Sequence, residues 1–210
     1  DTEGYDDART QAGSVNEGEL NNYYAQSSTL LSSNQFTLDR SFGSHETGAV
    51  LGLEYETNHF SNFSAEGGGI FPNLSILNVA AEPLGTSGFE TESVFVAGFS
   101  QLNYNYDRTY FASVSFRRDG SSRFGENNRY GNFYSVSGSW SVSNESFLVD
   151  QEWLEELKLR ASYGTTGNAQ IGNFQSRAIY SFQFPYNGQT GARPTRLGNP
   201  NLTWEVAKKT

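Results

Sequence analysis

The sequence predicts an all-β fold: an antiparallel sheet of about seven strands, forming a segment of a transmembrane β-barrel with short periplasmic turns and long extracellular loops. Three observations lead there. Apolar and polar residues alternate with period two in one segment after another, the spacing at which side chains reach opposite faces of a strand. The connections divide into tight turns and long loops, the asymmetry of outer-membrane barrels. Hydrophobic residues make up only 36% of the chain while aromatics reach 15%, with 16 Phe, 12 Tyr and 22 Gly, which suits sheets whose two faces meet different solvents.

The first clear strand runs from Gln35 to Phe42, with Phe36, Leu38 and Phe42 on one face and Gln35, Thr37, Asp39 and Ser41 on the other. Gly43 to Glu46 is a tight turn. The next strand sets Ala49, Leu51, Leu53 and Tyr55 against Gly48, Gly52, Glu54 and Glu56. Ser61 to Glu92 reads as a long loop. From Val94 to Tyr106 the apolar face is Val94, Val96, Leu102 and Tyr104; Asp107-Arg108 then turns the chain. Tyr110, Ala112, Val114 and Phe116 follow, opposed by Phe111, Ser113, Ser115 and Arg117. Gly120 to Tyr130 is a second loop. From Gly131 to Ser143, Tyr134, Val136, Trp140 and Val142 face Ser135, Ser137, Ser139 and Ser141. Asn144 to Glu156 is a moderate connection with room for a helical turn at Gln151 to Leu157. Leu157, Leu159, Ala161 and Tyr163 then oppose Lys158, Arg160 and Ser162. Gly164 to Asn201 is a third long loop, and a last strand begins near Leu202. Tyr104, Tyr106 and Tyr110 gather at a short turn, where an interfacial aromatic belt belongs.

Several function classes are disfavoured. A net charge of −9 argues against a nucleic-acid partner, which needs clustered Lys and Arg. No apolar run is long enough for a membrane helix, but a barrel has no such run either. The absence of Cys removes disulfides and thiolate chemistry. His45 and His59 lack the converging ligands a metal site requires. Glu54 and Glu56 project from one face of one strand, whereas a glycosidase pair faces across a cleft. Asp1 to Glu19 holds six acids and one base without EF-hand spacing, and reads as a solvated loop. No catalysis, cofactor or metal is expected. Period two alone leaves open a secreted antiparallel β-sandwich serving in binding or adhesion.

Motifs narrow this. LNYNYDRTYFASVSFRRDGSSRFG (Leu102 to Gly125), SVSGSWSVSNESFL (Ser135 to Leu148), WLEELKLRASYGTTGN (Trp153 to Asn168), IGNF (Ile171 to Phe174) and RLGNPNLTWE (Arg196 to Glu205) occur in this order. Together they resemble the barrel domain of SusC/RagA-type TonB-dependent outer-membrane transporters; Arg40 to Glu56 resembles a family hairpin more loosely. The resemblance implies that residues 1–210 are part of a barrel of about twenty-two strands, a size at which the lumen is plugged. It implies a plug domain and closing strands outside this sequence, a SusD-like lipoprotein lid and energy drawn from the TonB complex. It further implies membrane lipid around the wall, location in the outer membrane of a Gram-negative, Bacteroidetes-like bacterium, and import of oligosaccharides or oligopeptides.

Within that frame two residue sets are candidates. Arg117 and Asp119 share a polar face, and with Arg160 nearby they form an expected ion-pair network on the lumen wall. Phe71, Asn73, Phe174, Phe184, Tyr186 and Asn187 lie in the long loops, where aromatic faces stack on sugar rings and amides bond hydroxyls; they are the candidate substrate contacts.

Overall fold

The computed structural model describes residues 2–6, 17–148 and 153–210. Among the described residues ten strands run in chain order: β1 (Thr2–Asp6), β2 (Glu19–Phe42), β3 (His45–Gly68), β4 (Glu82–Tyr106), β5 (Tyr110–Ser121), β6 (Tyr130–Ser141), β7 (Lys158–Asn168), β8 (Ile179–Tyr186), β9 (Gln189–Arg196) and β10 (Glu205–Lys209). Eight of them form one sheet in the order β1-β2-β3-β4-β5-β6-β7-β10, and β8 and β9 pair as a separate hairpin. Neighbours in the large sheet are mostly neighbours in sequence, the meander of an up-and-down barrel. The chain divides into two compact units, residues 1–30 with 58–92, and residues 31–57 with 93–210.

In the first unit β1 pairs antiparallel with the start of β2, from Thr2↔Tyr23 to Asp6↔Glu19. Polar cross-strand pairs hold this unit: Asn21 donates to Glu66 (3.0 Å), Thr29 to Asn58 (2.6 Å), and the Phe89 amide to Asn62 (2.9 Å). Leu20 and Ile70 are fully buried. Gly18 adopts φ +96°, and a Cβ there would meet the Ile70 carbonyl oxygen at 2.5 Å, so the chain passes only without a side chain.

The second unit has a continuous register. Leu102 pairs with Val114, Val114 with Val136, and Val136 with Tyr163, so one apolar row crosses four strands. On the opposite face Asn103, Ser113, Ser137 and Ser162 form the matching polar row. The apolar face has no cover. Leu38 (43%), Leu51 (58%), Val114 (53%), Val136 (49%) and Leu159 (56%) are all exposed. Burial lies on the other face, where Phe124, Phe133 and Trp204 form a core cluster joined by Phe95, Ala169, Ile171 and Leu202. At the short-turn end, rings line up from Phe42 to His45 (5.2 Å), His45 to Tyr106 (4.8 Å), Tyr106 to Tyr110 (6.3 Å) and Tyr110 to Trp140 (6.4 Å). Tyr110 Oη and Trp140 Nε1 both donate to Glu145, at 2.6 and 2.8 Å.

Strand extents differ from the sequence expectation. β2 begins at Glu19 rather than Gln35, and β3 and β4 consume most of the Ser61 to Glu92 loop, leaving a connection of residues 69–81. The reason is solvation. Residues 25–34 are exposed on both faces, so a paired strand there carries no apolar alternation. His59 accordingly lies in β3, 3.4 Å from Glu90, rather than in a loop flank. The third long loop contains the β8–β9 hairpin. Val142 to Asn144 form a 3₁₀ turn that ends the β6 pattern, and Trp153 to Leu157 are not helical. Gln151 and Glu152, the start of the expected helical turn, lie outside the described residues, as do residues 7–16 of the acidic segment. Among the described residues no three His, Cys, Asp or Glu converge as for a metal.

Candidate functional site

The densest charge constellation sits on the covered face of the second unit. Antiparallel pairing sets Phe99 opposite Arg117, and Arg117 opposite Phe133. Arg117 donates from Nη2 to Glu54 Oε2 and from Nε to Asp119 Oδ1, both at 2.6 Å. Its guanidinium also lies over the rings of Phe99 (5.5 Å) and Phe95 (6.0 Å). One cation thus serves two carboxylates between aromatic walls, an arrangement that fixes β3 against β5 at that level. Glu54 is the third member that the sequence reading placed only on a polar strand face. Arg160 is not brought to this group. It pairs with Ser139, six residues along β6 from Phe133, which corresponds to roughly 20 Å of strand. There it borders a cavity of about 620 Å³ with Asp39, Glu46, Asn103 and Ser139.

Beyond the strands, two loops clasp each other. Gly125 N donates to Leu202 O (2.9 Å) and Asn127 N to Pro200 O (3.2 Å). The Asn127 and Asn128 side-chain amides reach Asn201, each at 2.9 Å. Phe124 packs on Trp204 with ring centroids 4.5 Å apart, and Trp204 Nε1 donates to Arg129 O (3.1 Å). A Cβ on Gly125 would lie 2.1 Å from Pro200 O, so the close approach needs glycine. The sequences RFGENN (Arg123 to Asn128) and GNPNLTW (Gly198 to Trp204) are therefore two halves of one structural contact. Arg123 extends it, donating to Asn173 (2.8 Å), to Ala169 O (3.4 Å) and to Ser93 (3.4 Å).

The loop aromatics are dispersed. Phe71 is 76% exposed in the first unit, and Asn73 follows at φ +67°, within a turn closed by Leu74 N to Phe71 O (3.1 Å). In the second unit Phe174 has φ +59°, with Arg196 donating to its carbonyl and to Gln175 Oε1 (3.1 Å), and the Arg177 guanidinium 5.8 Å from its ring. Phe184 lies 4.0 Å beneath Arg193. Tyr186 is 83% exposed at the hairpin tip, beside Asn187 and Gly188 at φ +48° and +74°. Two consecutive positive φ values make a type I′ turn, which Asn-Gly favours. That dipeptide, between Phe/Tyr-rich and Thr-containing segments, is the signal in the sequence that marks the hairpin.

A sequence profile described as "TonB dependent receptor-like, beta-barrel" matches residues 1–210. The chain belongs to the TonB-dependent receptor β-barrel family. It is 43% identical over 129 residues to TonB-dependent receptor P39 of Formosa agariphila, covering 61% of this chain and 12% of that protein. TonB-dependent receptor P3 of the same organism is 32% identical over 198 residues, 91% of this chain and 20% of the relative. TonB-dependent receptor SusC of Bacteroides thetaiotaomicron is 35% identical over 127 residues, 57% and 13%. Among solved structures, that of the RagAB peptide transporter matches with TM-score 0.85 and 30% identity, over 91% of this chain and 22% of that one. The chain thus spans about an eighth to a fifth of the length of the curated relatives it matches.

As barrel wall of a TonB-dependent receptor, each strand presents one face outward and the other to the interior. The exposed row through Leu102, Val114 and Val136 and the ionic row through Arg117 and Asp119 are those two faces. The β-sandwich alternative required a second sheet over Leu38, Leu51, Val114, Val136 and Leu159; these side chains are uncovered, and the family is a barrel family.

Proposed function

We propose that residues 1–210 are a partial β-barrel domain in the outer membrane of a Bacteroidetes-like bacterium, within a TonB-dependent importer of oligosaccharides or oligopeptides. The plug and the closing strands are supplied by the rest of the same protein. A SusD-like surface lipoprotein serves as its lid, and the TonB complex supplies the energy. The observation that carries this reading is the uncovered apolar row opposite an ionic and hydroxylated row, the two-solvent pattern of a lipid-embedded wall around a polar lumen. The relatives' names support it: one is SusC, and one structural relative is a peptide transporter.

In this role the wall does no covalent chemistry. Arg117, Glu54 and Asp119 tie β3 to β5 across β4 on the lumen side, and the Gly125–Pro200 clasp positions the loop that bears Phe174, Phe184, Tyr186 and Asn187. Exposed Tyr186 and Asn187 offer a ring face and an amide to substrate, as Phe71 and Asn73 do from the first unit. The test is uptake by cells carrying the full-length gene. Deletion of that gene, of tonB or of the lid gene is each expected to abolish growth on the imported oligomer; undiminished growth without TonB would contradict the reading.

A further inference from the structure

The net charge of −9 conceals a strong asymmetry. From Leu157 to Thr210 there are seven Lys and Arg against a single acid, Glu205, so this part carries +6 and the preceding 156 residues −15. Between β7 and β10 the segment Ala169 to Trp204 contains no Asp or Glu at all, yet holds Arg177, Arg193 and Arg196. The arginines around this segment divide into two groups. Arg196 and Arg123 spend their donors on backbone carbonyls and side-chain amides, which sets the loop's shape. Arg177, Arg193 and Arg129 are exposed, and among the described residues none makes an ion pair.

Arg129 and Arg177 approach one space from two loops. They line a cavity of about 480 Å³ together with Ser122, Phe124, Glu126, Ser176, Gly198 and Pro200. Its frame is the clasp: Ser176 Oγ donates to Phe124 O (3.1 Å), and Asn199 N to Ser176 O (2.9 Å), so both loops are tied at the cavity's edge. Glu126 borders the same space without pairing with either arginine, leaving one positive charge in excess. A cleft with two guanidinium groups that make no ion pair among the described residues, one of them resting against the Phe174 ring, on a cross-braced frame suits a planar anion, because guanidinium binds carboxylate through paired, charge-assisted hydrogen bonds. Arg193 on the Phe184 ring extends the positive field along the hairpin.

We propose that the Arg129–Arg177 cleft binds a carboxylate carried by the oligomer, so that the substrate class is acidic. This rests on the import reading above and narrows it. Uronate units of a glycan and side chains of an acidic peptide share this chemistry, and the experiment separates them.

The full-length protein in detergent is titrated calorimetrically with tetragalacturonate and its methyl ester, and with tetraglutamate and tetraglutamine. At least one acid is expected to bind ten-fold or more tightly than its neutral partner, with affinity falling as salt rises. Arg129→Gln and Arg177→Gln are each expected to cost that acid about ten-fold, the scale of a charge-assisted hydrogen bond, and to leave the neutral compound unchanged. Arg177→Lys keeps the charge and loses the fork, and falls between. Heat-modifiable electrophoretic mobility identifies variants that remain folded. Equal binding of acid and neutral forms, binding of neither, or acid binding insensitive to both substitutions in folded protein overturns the proposal. Acid binding by a protein that supports no TonB-dependent uptake would instead overturn the import reading and leave the cleft assignment standing.

Discussion

Val114→Arg tests which solvent meets the uncovered face. Val114 is 53% exposed and lies in the straight row with Leu102 and Val136. It is four residues beyond Tyr110, which stacks on Trp140 in the ring series at the short-turn end. Four residues advance ~13 Å along the strand, and at a tilt of about 45° this is ~9 Å in depth. If the ring series marks one interface, Val114 stands near the middle of an apolar band about 25 Å tall. Arginine at that depth costs about 2–4 kcal/mol. The control is Ser113→Arg, one residue away on the opposite face, where a solvated lumen leaves the cost within about 0.5 kcal/mol. Guanidinium unfolding of the full-length protein in phospholipid vesicles reads both, together with the fraction assembled in cells. A Val114→Arg cost no greater than that of Ser113→Arg would refute the assignment of faces, since an exposed valine in water tolerates arginine.

Other consequences concern the ionic row, the clasp and the turn. Arg117→Met leaves Glu54 and Asp119 facing each other; because Arg117 is about a third exposed, the cost is set below that of a fully buried pair, at about 1–3 kcal/mol. Replacing all three by Met, Gln and Asn is expected to recover most of it, measured by the same unfolding midpoint. Gly125→Ala drives a methyl group against Pro200 O and is expected to cost about 1–3 kcal/mol, with faster proteolytic nicking within residues 169–204. Glu145 lies outside the strands, and hydrogen bonds from Tyr110 and Trp140 hold its carboxyl below the usual range. A folded pKa below the unfolded one gives stability that is complete above the unfolded value and is lost as pH falls through the folded value. Trp140 emission is therefore expected to change across that acid range, and Glu145→Gln to abolish the change.

The faces of β5 to β7 were legible because one side of each strand is apolar and the other mostly polar, so period two alone placed Val114, Val136 and Leu159 on one face, as the register does. The start of β2 was not, because residues 25–34 are exposed on both faces and no alternation distinguishes them from loop. Asn187-Gly188 did carry the hairpin signal, but it sits within a long segment that otherwise lacks a strand pattern. The core cluster was hidden for a different reason. Phe133 stands on the face read as polar, and its partners Phe124 and Trp204 come from loops, so only tertiary structure joins them. Arg117 and Asp119 are two residues apart and share a face by parity, whereas Arg160 could be placed only by register.

In the proposed barrel one face of this sheet meets lipid and the other the lumen. This is tested most directly by nitroxide scanning from Ala112 to Arg117 in the full-length protein in bilayers, with single cysteines in a cysteine-free background; these 210 residues contain none. Oxygen accessibility is expected to alternate with period two, high at 112, 114 and 116 and low at 113, 115 and 117, with the accessibility of a polar nickel reagent alternating in the opposite phase. Uniform access of the polar reagent, or no alternation, would contradict it.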